Sequence, residues 1–207
     1  MLQLITHRNP RFDEAEGALE SLKGGCRWIQ LRMKDATAKE IVEMAHKIAP
    51  LCLAYGAKLI LDDHVELVRE TGAHGVHLGK MDMPVTEARS ILGNDYIIGA
   101  TANTLEDMIK ATAAGADYIG LGPFRFTETK KKLSPVLGIE GYERIMKQYN
   151  AIPGAVPVVA IGGITLDDIE PLMQTGVSGV AVSGTILNAV SPEEITKRII
   201  NTLNKYE

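Results

Sequence analysis

The sequence predicts an α/β chain folded as one (β/α)8, or TIM, barrel spanning residues 1–207, and three observations carry that expectation. Eight short apolar or β-branched runs alternate with eight amphipathic stretches along 207 residues. Runs such as VPVVAI at Val156–Ile161 and GVAV at Gly179–Val182 are apolar without alternation, as parallel strands are when both faces are covered. The first run is not followed by GxGxxG, which a doubly wound open sheet would more often carry there.

Strands are expected at Leu2–Thr6, Trp28–Met33, Lys58–Leu61, Gly75–Leu78, Tyr96–Ala100, Tyr118–Leu121, Val156–Ile161 and Gly179–Val182. Between and after them, 3.6-residue periodicity predicts helices over Asp13–Lys23, Thr37–Tyr55, Val65–Thr71, Val85–Leu92, Leu105–Ala114, Ile139–Gln148, Leu166–Thr175 and Pro192–Lys205. Thr37, Thr104, Thr165 and Ser191 stand where N-caps belong. Gly56, Gly72, Gly93, Gly115 and Gly176 stand where helices should stop.

Composition narrows the function. The chain is 45% hydrophobic and 23% charged with a net charge of −4, so no basic excess points to nucleic acid. No apolar run approaches the roughly 20 residues needed to cross a bilayer, and the N-terminus lacks signal-peptide architecture, so a cytoplasmic protein without a membrane partner is expected. Cys26 and Cys52 lie far apart and outside any CxxC pattern, as buried thiols do in a reducing compartment. A homo-oligomer is compatible with the sequence and is not specified by it.

Active sites of such barrels lie at the C-terminal ends of the strands, so the residues after each strand are the informative ones. Gln30, Arg32 and Lys34 follow the second strand at every other position, which places them on one face if the strand continues. Two cations held side by side on an apolar strand call for an anion between them. Asp62 and Asp63 follow the third strand, Lys80 and Asp82 the fourth, and Thr101 and Asn103 close the fifth. Asp63 and Asp82 supply opposite charge from neighbouring strand ends, as ligands for Mg2+, as an acid–base pair or as plain partners of the cations. The sixth strand stops at Gly122-Pro123 and feeds a polar loop carrying Thr127, Thr129 and Lys130, where two hydroxyls and an ammonium can surround a phosphate. Gly162-Gly163 and Ser183-Gly184 close the last two strands, where barrels often cradle phosphate with backbone N–H groups. His7 lies on the same rim. His74 and His77 lack the spacing of ligands on one strand face and read as packing residues. The residues thus suggest two anion sites on one rim, served by small phosphorylated molecules, one of them metal-assisted.

These motifs resemble the thiamine phosphate synthase family along the length of the barrel. The resemblance rests on IQLRMKD at Ile29–Asp35, LILDDH at Leu59–His64, GVHLGKMD at Gly75–Asp82, IIGATANT at Ile97–Thr104, ADYIGLGPFRFTETK at Ala116–Lys130, PVVAIGGI at Pro157–Ile164 and GVAVSGTI at Gly179–Ile186. It implies a Mg2+-dependent transferase that condenses a hydroxymethylpyrimidine diphosphate with a thiazole phosphate. Arg32, Lys34 and Lys130 would hold the diphosphate, Gln30 the pyrimidine region, and Asp63 and Asp82 the metal. Thr127, Thr129, Gly163 and the Ser183-Gly184 turn would hold the thiazole phosphate. Two positions depart from the family pattern: Asp62-Asp63-His64 stands where Asn-Asp-Arg is common, and Asn103 where a histidine is frequent. An ionised Asp62 cannot donate a hydrogen bond to a diphosphate. The competing expectations are a thiazole tautomerase-like isomerase on the same barrel and a non-catalytic thiazole-phosphate binder.

Overall fold

The computed structural model describes residues 1–126 and 135–206. Eight strands pair in chain order, each parallel to its neighbours, and β8 closes on β1 to complete the barrel. They are β1 (Leu2–Ile5), β2 (Trp28–Leu31), β3 (Lys58–Asp62), β4 (Gly75–Leu78), β5 (Ile97–Ala102), β6 (Tyr118–Leu121), β7 (Val158–Ile161) and β8 (Gly179–Val182). The α-helices are α1 (Glu14–Lys23), α2 (Ala38–Ala54), α3 (Val68–Thr71), α4 (Val85–Leu92), α5 (Leu105–Ala113), α6 (Gly138–Tyr149), α7 (Ile169–Gln174), α8 (Gly184–Leu187) and α9 (Pro192–Leu203).

The local signals act as expected. Thr37 and Thr104 each close a capping box at the start of α2 and α5, and Ser191 caps α9. The five glycines expected to stop helices all have positive φ, which a side chain would oppose.

Most element ends fall within two residues of those expected, and three differences stand out. Strand β2 ends at Leu31, so Lys34 stands in the following turn and not on the strand face. The third and seventh helices each begin as a 3-10 turn, at Val65–Leu67 and Leu166–Asp168, as helix N-termini often do. The short helix α8 was not expected: its four residues are too few for periodicity to register.

Most of the core lies between barrel and helices, from Leu4, Ile29, Leu59 and Val180 out to Leu22, Ile48 and Ile199. A second, smaller cluster of Ile5, Tyr118, Val159 and Ala181 fills the barrel interior, with Trp28, Ile97 and Ile161 against it. Trp28 and Tyr118 meet edge to face at 4.6 Å. Gly99 makes the Tyr118 position available, since a Cβ there would lie 2.1 Å from the phenol ring. No helix of the described residues is long and apolar enough to cross a membrane.

Candidate active site

A cavity of about 310 Å3 opens at the C-terminal mouth of the barrel. Its wall brings together Gln30, Arg32, Asp62, Thr101, Gly163 and the Ser183-Gly184 turn, which are seven of the positions singled out from sequence, together with His7 and His77. A second cavity of about 500 Å3 lies at the opposite end, against Met1, Trp28, Pro157 and Leu203. It is mostly apolar and lacks the convergent polar groups of the mouth, so the mouth is the candidate site.

Arg32 leaves the end of β2 with its Nε 3.3 Å from Asp62 Oδ2, and its backbone N–H donates to Thr6 Oγ1 at 3.0 Å. Asp62 therefore acts as the acceptor that orients Arg32, a role its charge suits better than donating to a phosphate. Lys34 is exposed beyond this pair and makes no ion pair among the described residues. Lys80 also turns outward, bridging to Asp107 at 2.8 Å at the start of α5.

Asp63 and Asp82 face one another at the edge of the mouth. Asp63 is in the left-handed region, at φ +75°, and its N–H donates to His77 O at 2.9 Å. Asp82 curls back so that its carboxylate accepts from Gly79 N–H at 2.6 Å. Burial, then the Asp82 carboxylate beside it, pushes the Asp63 carboxyl above its ordinary range. Two carboxylates held together on a strained backbone fit a hard divalent cation that takes its remaining ligands from phosphate oxygens and water. Among the described residues no group of three or more His, Cys, Asp or Glu side chains stands ready to hold a metal, so this pair is what those residues offer.

Behind the mouth runs a buried polar chain that the sequence did not disclose. Gln30 Nε2 reaches Gln3 Oε1 at 3.4 Å, and Gln3 Nε2 donates to Tyr118 OH at 3.2 Å. Tyr118 OH meets His77 Nδ1 at 2.9 Å, and His77 Nε2 meets Thr101 Oγ1 at 3.0 Å. Both ends, Gln30 and Thr101, face the cavity, so His77 is a packed residue that also lines the site. Burial keeps the Tyr118 phenol neutral by pushing its pKa up. The register explains the contact: His77 and Tyr118 both pair with Gly99, and the missing side chain between them lets the phenol reach the imidazole. That alignment arises from three strands, and no spacing within one of them signals it.

Asn103 donates to Gly122 O, tying the end of β5 to the end of β6. The stem of the loop after β6 is pinned in turn by Arg125, whose guanidinium forks onto Asp168 at 2.8 Å through both amino groups and also donates to Gly163 O at 2.6 Å. Thr127, Thr129 and Lys130 lie outside the described residues.

A closed parallel barrel with Arg32, carboxylates and turn glycines gathered at its C-terminal mouth defines an enzyme of the (β/α)8 class that receives anionic ligands. Comparison with known proteins makes this specific. A family model described as thiamine monophosphate synthase matches residues 2–186. A thiamine-phosphate synthase of Bacteroides fragilis is 57% identical over 200 residues, covering 97% of this chain and 98% of its own, and one of Flavobacterium johnsoniae is 47% identical over 204 residues, covering 99% and 94%. The solved thiamine phosphate pyrophosphorylase of Pyrococcus furiosus superposes with a TM-score of 0.88 at 34% identity, covering 99% of this chain and 96% of that one. The chain belongs to the thiamine-phosphate synthase family, a family of transferases that join a pyrimidine to a thiazole.

Proposed function

We propose that this chain condenses a hydroxymethylpyrimidine diphosphate with a thiazole phosphate in the cytoplasm, giving thiamine phosphate and pyrophosphate in a Mg2+-dependent reaction. The observation that supports it most is the sharing of one cavity by the Arg32–Asp62 pair, the polar ends at Gln30 and Thr101, and the turns at Gly163 and Ser183, with the Asp63–Asp82 pair at its edge.

The reaction breaks the bond between the pyrimidine methylene and the diphosphate oxygen, with the electron pair leaving on the diphosphate. The electron-rich aminopyrimidine carries the resulting positive charge, and the thiazole nitrogen then forms the new C–N bond. Arg32, held by Asp62, and Lys34 and Lys130 hold the departing diphosphate. Asp63 and Asp82 would hold Mg2+, whose charge would neutralise part of that on the leaving group. Gln30 orients the pyrimidine ring. Thr101, fixed by His77, borders the same ring pocket. Thr127, Thr129, Gly163 and the Ser183-Gly184 turn hold the thiazole phosphate. No protein nucleophile is called for, and the rate comes from positioning and from fixed charges that oppose the charge developing on the leaving group.

Product analysis with each substrate alone and with both together tests this reading. Thiamine phosphate is expected only from the pair. Rearrangement of the thiazole alone, with no coupled product, would replace the transferase by an isomerase.

A further inference from the structure

His7 follows β1 and lines the mouth, yet the mechanism above gives it no task. Its Nδ1 lies 2.7 Å from Ser183 Oγ, and Ser183 Oγ lies 2.6 Å from Ile5 O. A backbone carbonyl can only accept, so the single Ser183 hydroxyl proton is committed to Ile5. The Nδ1–H of His7 must then be the donor to Ser183, and the tautomer is fixed by the fold. In the neutral ring Nε2 is left as a bare acceptor, and it has no hydrogen-bond partner among the described residues.

The charged groups around the ring are otherwise engaged. Arg8, next in sequence, turns away onto Glu14 at 3.0 Å. Across the cavity Arg32 is paired with Asp62. The ring is therefore held by β8, on the cavity wall formed by Gly163, Ser183 and Gly184, with one nitrogen available to a ligand.

We propose that His7 is a further substrate-binding residue, with Nε2 sharing one proton with an oxygen of the phosphate monoester seated at the Gly163 and Ser183 turns. A monoanionic phosphate brings that proton, or an imidazolium supplies it to the dianion. The bound pair holds the same proton either way, and no bond other than the hydrogen bond is made. Ser183 thereby has a second role, as the group that presents His7 in the correct tautomer. The inference rests on the functional reading above, because it assigns the phosphate to the thiazole substrate.

The test is steady-state kinetics with each substrate varied, on the wild-type chain, His7→Asn and His7→Gln, with the thermal midpoint of each recorded. Asparagine can keep the bond to Ser183 but has no atom at the Nε2 position. Glutamine places an amide nitrogen there. His7→Asn is expected to raise KM for the thiazole phosphate about tenfold, the size of one charge-assisted hydrogen bond, with KM for the diphosphate and kcat within about twofold. His7→Gln is expected to recover most of that loss. On the wild-type chain, 15N NMR of the His7 imidazole should show the Nδ1–H tautomer without ligand and a shift of Nε2 towards its protonated value on adding thiazole phosphate. An unmoved thiazole KM in His7→Asn, an equal rise for both substrates, or an Nε2 signal indifferent to thiazole phosphate would each overturn the role of His7. A wild-type chain that makes no thiamine phosphate would instead overturn the functional reading on which the role depends.

Discussion

At Asp63 the backbone and the charge are both held away from their preferred states: a non-glycine residue at φ +75°, with the Asp82 carboxylate beside it. Its folded pKa is raised, so its contribution to stability is complete below the ordinary carboxylate range and is lost as pH rises through the raised value. Near neutral pH, without a cation, the pair therefore costs stability. Asn accepts left-handed backbone readily and carries no charge. Asp63→Asn is accordingly expected to raise the thermal midpoint in chelator by on the order of 1 °C, an effect kept small by solvent screening. Mg2+ at about ten times its Kd should raise the wild-type midpoint by about 3–5 °C and leave the variant unmoved. Scanning calorimetry with and without Mg2+ decides it, and an equal Mg2+ response in both proteins would remove Asp63 from the metal site. Arg32 is the complementary case. Arg32→Lys keeps the charge but loses the planar fork that Asp62 orients, and KM for the diphosphate is expected to rise tenfold or more with the fold intact.

Two elements set the geometry of the mouth. The β6–α6 loop stem is tied to the segment after β7 by Arg125 and Asp168. Burial alone would raise the Asp168 carboxyl, but hydrogen bonds from Arg125 and Thr165 outweigh it and bring the pKa down to about 2. With a depressed folded pKa, this contribution is present above the ordinary carboxylate range and is lost as pH falls through about 2. Asp168→Asn is expected to cost about 1–2 kcal/mol at neutral pH, after allowance for the partly exposed Arg125, and to flatten the acid limb of the stability curve. Urea titration at several pH values measures it. Strand β5 is the second element. Gly99→Ala would drive the Tyr118 ring from its place and with it the His77–Thr101 contact. The expected result is a loss of about 1–3 kcal/mol and a fall in kcat, read from unfolding and turnover of the variant beside the wild-type chain.

At the scale of the whole molecule, the sequence foretold most of the barrel because its strands are apolar on both faces and its helices carry their own caps. Leu59 and Val180 announce buried parallel strands, and Thr37 and Thr104 announce helix starts without reference to anything distant. The rim was legible for a related reason: in a barrel, the position of a residue just past a strand end already determines which end of the molecule it joins. Arg32, Asp62, Thr101 and Ser183 were found that way. What escaped was whatever depends on two strands at once. The alternation Gln30, Arg32, Lys34 reads as a continuing strand, but the chain turns after Leu31 and Lys34 leaves the face. His77 looks like an interior histidine until Tyr118 and Thr101 are placed beside it across Gly99, and His7, already legible as a rim residue, has no visible task until Ser183 fixes its tautomer.

The proposed reaction requires this mouth to release an inorganic diphosphate with the help of a divalent cation as two substrates are joined. Pyrophosphate release, followed with the pyrimidine diphosphate and the thiazole phosphate both present, measures it directly, in Mg2+ and again in excess chelator. Stoichiometric pyrophosphate in Mg2+, with none above background in chelator or with either substrate withheld, is the predicted result. Release at an undiminished rate in chelator, or none under any condition, would contradict it.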